Sequence, residues 1–169
     1  MTTAMTHLVA PEAARGRARR RLDIFDTQIW IKLGSADTGG SYTIIENVSQ
    51  PLDGPPLHRH SREDESFYIV EGDFLFEVDD ERIHAGPGCT VFAPRGTAHT
   101  FQNVGQNSGR YIVVAQPAGI DEFFEDVASV VGSGPSAADA AAIAALFEKY
   151  GLELLGPPMR AREAAALDG

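Results

Sequence analysis

His58-Arg-His60-Ser-Arg-Glu-Asp-Glu65-Ser-Phe67-Tyr-Ile-Val-Glu-Gly72 and, after fifteen further residues, Gly88-Cys-Thr-Val-Phe-Ala-Pro94-Arg-Gly96-Thr-Ala-His99-Thr-Phe101-Gln-Asn103 hold the most regular spacing in the chain. One residue separates His58 from His60, so on an extended strand both imidazoles point to one face. By the same alternation Phe67 shares the face of Glu65, and Phe101 that of His99. Working outward, short apolar runs recur at residues 67–70, 74–78, 82–85, 90–93, 100–104 and 111–115. Turn residues separate them, notably Gly86-Pro87-Gly88 and Pro94-Arg95-Gly96. Upstream, Ile29, Ile31 and Leu33 share one face of a strand, and Tyr42, Ile44, Glu46 and Val48 one face of the next. About eight short strands at regular spacing predict an all-β barrel or double-sheet jelly roll.

The period then changes. Ile120, Phe123, Phe124, Val127 and Val131 fall on one helical face, and Ser136 with Asp139 opens a second helix that Gly151 stops. Ile143, Leu146, Phe147 and Tyr150 are its apolar set. The organisation expected is a flexible basic tail over 1–21, a β-barrel over 22–118, a helical extension over 119–158 and a flexible tail over 159–169.

Composition narrows the class. A chain of 169 residues suits one domain with a core of its own. No run of apolar residues is long enough for a membrane-spanning helix, and no membrane partner is expected. Cys89 is the one cysteine, which excludes an internal disulfide and fits the cytoplasm. Net charge is −10, and Arg15, Arg17, Arg19, Arg20 and Arg21 hold five of the 14 basic residues, leaving the body more acidic still. No nucleic-acid partner is expected for such a body. The Arg cluster reads as a solvated lead-in rather than an RNA arm or a targeting signal, since no apolar segment follows it.

Three imidazoles and a carboxylate are a donor set suited to iron, nickel, cobalt, copper, zinc or manganese. Each residue alone has a plainer reading: His-x-His on a strand edge, Glu65 in the charged turn Arg62-Glu63-Asp64-Glu65, and His99 as a half-buried histidine. Their joint spacing is the stronger signal. From Gly54 to Gly72, the first run resembles the first motif of the cupin superfamily; from Gly88 to Asn103, the second resembles the other at every fixed position. One departure stands in the first motif. Leu52 lies where the motif has glycine, and Gly54 is displaced by two.

The resemblance implies a cupin double-stranded β-helix barrel with a short C-terminal α-helical extension. It implies one divalent transition metal ion per chain, held by His58, His60, Glu65 and His99. Similarity to the single-domain quercetin 2,3-dioxygenase-like cupins suggests a dioxygenase for a small aromatic or enolic substrate. In that reading Glu65 is both ligand and catalytic proton acceptor, and Phe67 and Phe101 line the substrate pocket. A metal-dependent isomerase, decarboxylase or cyclase is the alternative, and a non-catalytic cupin binding a small molecule is another. A homodimer is expected, because small barrels expose strand edges. Tyr68, Tyr111, Gln102 and Arg95 are candidate polar contacts to a ligand; His84 is expected to face outward and Cys89 to be buried.

Overall fold

Strands alternate with tight turns through most of the chain in the computed structural model, which describes residues 21–24, 27–131 and 137–167. In order they are β1 (Arg21–Ile24), β2 (Thr27–Leu33), a single helical turn α1 (Ser35–Thr38), β3 (Thr43–Ser49), β4 (Pro56–His60), β5 (Asp64–Glu71), β6 (Phe74–Val78), β7 (Glu81–Ala85), β8 (Thr90–Ala93), β9 (His99–Asn103) and β10 (Gly109–Gln116). Then come helices α2 (Ile120–Val130) and α3 (Ala137–Tyr150), strand β11 (Leu152–Pro158) and helix α4 (Met159–Leu167). A six-stranded sheet runs β1-β2-β3-β10-β5-β8, and a five-stranded sheet runs β11-β4-β9-β6-β7. Every pairing is antiparallel, and the two sheets close on one core as the predicted jelly roll.

Aromatic rings fill the middle of the barrel. Phe67, Phe74, Phe76, Phe101 and Tyr111 pack tilted or edge-to-face, with centroids 5.0 Å apart for Phe101–Tyr111 and 6.4 Å for Phe74–Phe76. Such pairs add about 0.5–1.5 kcal/mol each beyond the area they bury. On the outside of the barrel, α2 lays Ile120, Phe123, Val127 and Val131 on the core, the face its periodicity marks. Ile143, Leu146, Phe147 and Tyr150 of α3 pack against the same cluster. The proposed Ser136 cap lies outside the described residues, as do residues 1–20 of the N-terminal tail.

The face that Tyr42, Ile44, Glu46 and Val48 share is the outer one, and the buried face of β3 is Thr43, Ile45, Asn47 and Ser49. In two places the structure differs from the sequence reading. First, the segment read as the end of a helical extension is strand β11, which pairs with β4 through Leu152↔His60 and Leu154↔His58. Pro157 and Pro158 are tolerated because β11 is an edge strand, where a missing N–H costs no ladder bond. The chain then continues as α4, with Met159 buried under it, rather than as a free tail. Second, Cys89 is exposed, carried outward by the turn in which its N–H bonds the Gly86 carbonyl.

The departure at Leu52 also has a structural form. Leu52 takes the left-handed backbone at φ 66° that glycine would adopt without strain. Gly54 is needed for a different reason: a Cβ there would lie 1.9 Å from the Phe101 carbonyl oxygen.

Candidate metal centre

Alternation in two strands and the register between them bring the four predicted ligands together. His58 and His60 project from β4, and His99 from β9, directly opposite His58 in the register. Glu65 comes from β5 in the other sheet, flanked by Ala93 on β8 and Ala115 on β10, whose small side chains leave its carboxylate room. The site therefore bridges the two sheets. One donor atom from each of the four residues lies within 4.8 Å of the others, a grouping that could hold a metal ion. The imidazole centroids are 4.5 Å apart for His58–His99, 5.1 Å for His58–His60 and 5.6 Å for His60–His99.

Hydrogen bonds behind the rings fix which nitrogen faces the centre. Nδ1 of His58 lies 2.8 Å from the Pro56 carbonyl oxygen, and Nδ1 of His99 lies 3.1 Å from that of Thr97. A carbonyl only accepts, so each Nδ1 carries the proton and each Nε2 presents a lone pair. Nδ1 of His60 is held instead by the Glu63 carboxylate, at 3.3 Å. This is the outer arrangement that orients metal-ligating imidazoles and raises their basicity.

Electrostatics favour the same occupant. Burial, reinforced by the neighbouring His99 and His60, pushes His58 down to about 3, so its ring is neutral. Burial also lowers His60, but the Glu65 and Glu63 carboxylates outweigh it and the net shift is upward. Burial would raise Glu65; the surrounding imidazoles, His60 first, pull it down to about 2 instead. Glu65 Oε2 lies 2.9 Å from Nε2 of His99 and 3.2 Å from Nε2 of His60. At that spacing a shared proton or a shared cation reconciles the carboxylate with the imidazole lone pairs. The donor set thus fits a divalent transition metal.

The remaining candidates scatter. Phe67 and Phe101 are buried in the aromatic core, with the Phe67 ring centroid 6.1 Å from that of His99 and 5.8 Å from that of Phe101. Tyr68 is exposed on the outer sheet face, and Gln102 donates to the Leu52 carbonyl. Arg95 is engaged bidentately by Asp64 at 3.0 and 2.8 Å. Tyr111 alone of the four stays inside the barrel. Glu63 is the functional residue that the sequence does not single out: Arg62–Glu65 reads as a solvated turn, yet Glu63 is 4 % exposed. Its spacing of three from His60 was the available signal.

The C-terminal segment braces the ligand strand. Ser61 donates to the Gly151 carbonyl from both N and Oγ, at 2.9 and 2.6 Å, and Arg62 donates to that of Lys149 at 3.1 Å. Together with β11 these contacts fix the end of β4 that carries His60.

Comparison with known proteins agrees with this architecture. Residues 48–115 match the cupin domain family. An uncharacterized protein of Methanocaldococcus jannaschii is 37 % identical over 49 residues, which are 29 % of this chain and 39 % of that protein's length. Among solved structures, KdgF from Halomonas sp. superposes with TM-score 0.55 at 21 % identity, covering 61 % of this chain and 90 % of that one. An RmlC-like cupin from Shewanella frigidimarina gives 0.54 at 20 % identity, covering 63 % and 91 %. A predicted oxalate decarboxylase from Thermotoga maritima gives 0.52 at 20 % identity, covering 54 % and 80 %. Residues 48–115 are thus similar to the cupin domain, and these neighbours show that the barrel has the cupin jelly-roll fold.

Proposed function

We propose that this protein is a metal-dependent dioxygenase of the cupin kind, acting on a small aromatic or enolic substrate at the centre formed by His58, His60, Glu65 and His99. The observation that carries the reading is the convergence of four donors within 4.8 Å, with every imidazole tied back through Nδ1. A bound divalent transition metal would supply a Lewis acid for a substrate hydroxyl and, where redox-active, a site for dioxygen chemistry. His58, His60 and His99 hold their Nε2 atoms toward the centre without side-chain freedom to leave it. Glu65 is ionised across the physiological range and can accept a hydrogen bond or a proton from an incoming hydroxyl. Phe67, packed edge-on to His99, presents an apolar surface beside the centre and keeps it dry.

The buried polar set favours a neutral or enolic substrate over a polar acid. Among the described residues it contains no lysine or arginine, so an anionic substrate would meet no buried cation. The alternative reading, a metal-dependent isomerase, decarboxylase or cyclase, predicts turnover without oxygen. Elemental analysis of untagged protein beside a His58→Ala/His60→Ala variant tests the metal. Oxygen-electrode assays with flavonol and β-diketone panels, run with and without air, test the chemistry. Turnover unchanged by removing oxygen would exclude the dioxygenase, and an equal absence of metal in both proteins after reconstitution would exclude the centre.

A further inference from the structure

β4 carries two of the three imidazoles, yet its two neighbours hold it unevenly. Toward β9 there is a single facing pair, His58↔His99, whereas β9 faces β6 at five positions. Toward β11 there are five facing pairs, from Leu152↔His60 to Pro158↔Pro56. The approach to β4 is tied to β9 by other bonds: Thr100 Oγ1 donates to the Pro55 carbonyl at 2.7 Å, and the Leu52 N–H to the Asn103 carbonyl at 2.8 Å. The His60 end has two supports. From the turn before β9, the Gly96 N–H donates to the His60 carbonyl at 2.7 Å. The C-terminal segment supplies the other, where Ser61 and Arg62 clasp the carbonyls of Gly151 and Lys149 at the junction of α3 and β11.

This segment is anchored at its two ends and loose between them. Leu152 faces inward with His60 and is buried in the core. Met159 is buried under α4, whose Arg162 pairs with Glu77 of β6. Between these anchors the ladder slips twice, at Leu154/Gly156 and at Gly156/Pro158. Pro157 and Pro158 bring no N–H, and Leu154, opposite His58, is 44 % exposed. An edge strand with an irregular ladder and little buried apolar surface opens locally at low cost. His58 and His60 lie on the strand it would open from. Donor atoms have to keep their places to within about 0.5 Å for a site to hold its geometry, so play in β4 reaches the centre directly.

We propose that docking of β11 on β4 and filling of the four-donor centre are coupled, with Ser61 and Arg62 as positioning residues. An undocked segment lets His58 and His60 drift from His99 and Glu65, and an occupied centre holds the segment down; linkage makes the two effects equal. The coupling rests on the reading of the four donors as a metal site.

The test uses the full-length protein with nickel as the probe. Hydrogen exchange of the parent with and without nickel compares the two edge strands of the five-stranded sheet, β11 and β7. Nickel should slow residues 152–156 by about 5-fold or more and leave β7, whose neighbour β6 carries none of the four donors, within about 2-fold. Ser61→Ala/Arg62→Ala should speed exchange of residues 152–156 in the nickel-free protein. Competition with a chelating dye should show nickel weakened by about 3- to 30-fold, the range of one to two hydrogen bonds. Ser61→Thr/Arg62→Lys keeps both donors and should restore the affinity. Cobalt in the alanine protein should give a visible spectrum shifted from the parent's. Equal slowing of β11 and β7, or none in β11, would overturn the coupling and leave the centre intact. So would parental nickel affinity in an alanine protein whose β11 exchanges faster. Unchanged β11 exchange in that protein would overturn the role of Ser61 and Arg62. Should the alanine protein not fold, exchange in the parent decides alone. A parent that takes up no nickel would refute the metal reading itself.

Discussion

Replacing Glu63 should weaken metal binding without touching a ligand. Of the three imidazoles, His58 and His99 are steered by backbone carbonyls, which no substitution removes, whereas His60 depends on the Glu63 side chain. Glu63→Ala leaves a buried Nδ1–H with no acceptor and frees the ring to rotate. Loss of such an outer partner lowers metal affinity by about 10- to 100-fold, or about 1.4–2.7 kcal/mol. Glu63→Gln keeps an acceptor oxygen but loses the charge, so it should fall near the lower end, with Ala near the upper. Asp64→Asn is the control: Asp64 is next in sequence, but its carboxylate is committed to Arg95 on the surface. Competition of nickel between the protein and a chelating dye, at fixed pH and with melting curves alongside, measures the order. Parental affinity in a well-folded Glu63→Ala protein would refute the argument that His60 is oriented from behind.

Three further outcomes follow from the packing. Asp121 accepts from Ser35 N at 2.8 Å, Ser35 Oγ at 2.7 Å and Thr43 Oγ1 at 3.0 Å; burial opposes its charge, but these bonds hold its carboxyl below the ordinary value. A lowered folded-state value contributes stability that is complete above the unfolded value of about 3.9 and is lost as pH falls through the folded one. Urea midpoints should therefore decline below about pH 4, and Asp121→Asn should flatten that limb while reducing stability by about 1.5–3 kcal/mol at pH 7. Gly54→Ala sets a Cβ against the Phe101 backbone and should cost at least about 3 kcal/mol in denaturant unfolding, whereas Leu52→Gly should be neutral or gain up to about 1 kcal/mol. Homodimerisation is proposed through the outer face of the six-stranded sheet, where Phe92 is 55 % and Tyr68 48 % exposed; a Tyr68→Ser/Phe92→Ser protein should sediment as a monomer, and a parent of monomer mass at micromolar concentration would exclude it.

The ligand set was legible because it depends on period alone. His-x-His is same-face on any strand, and Pro94-Arg95-Gly96 turns the chain so that β9 returns beside β4. Gly72 and Gly88, both at positive φ, are turn positions that spacing alone marks. What escaped the sequence were features decided between elements. Glu63 is a surface residue by composition and becomes buried where His60 and the Gly119 turn lie against its carboxylate. In β11, Leu-Glu-Leu-Leu-Gly-Pro-Pro has no clean alternation, and its strand character comes from the open edge of β4. Outside that pairing the same residues would have no reason to be extended.

The interior of β3 shows most directly why a barrel wall cannot be oriented from one strand. Read alone, the run from Tyr42 to Ser49 puts Tyr42, Ile44, Glu46 and Val48 on one side and Thr43, Ile45, Asn47 and Ser49 on the other, and its pattern leaves open which side meets the core. The register decides it, because β2 and β10 on either side turn Ile29, Ile31, Tyr111 and Val113 inward, and a strand between them must follow their pleat. Thr43 then finds Asp121, and Ser49 finds Asp53 at 3.0 Å. Asn47 finds no partner of its own. Which side chains β3 turns inward is therefore a property of its two neighbours and not of the strand itself.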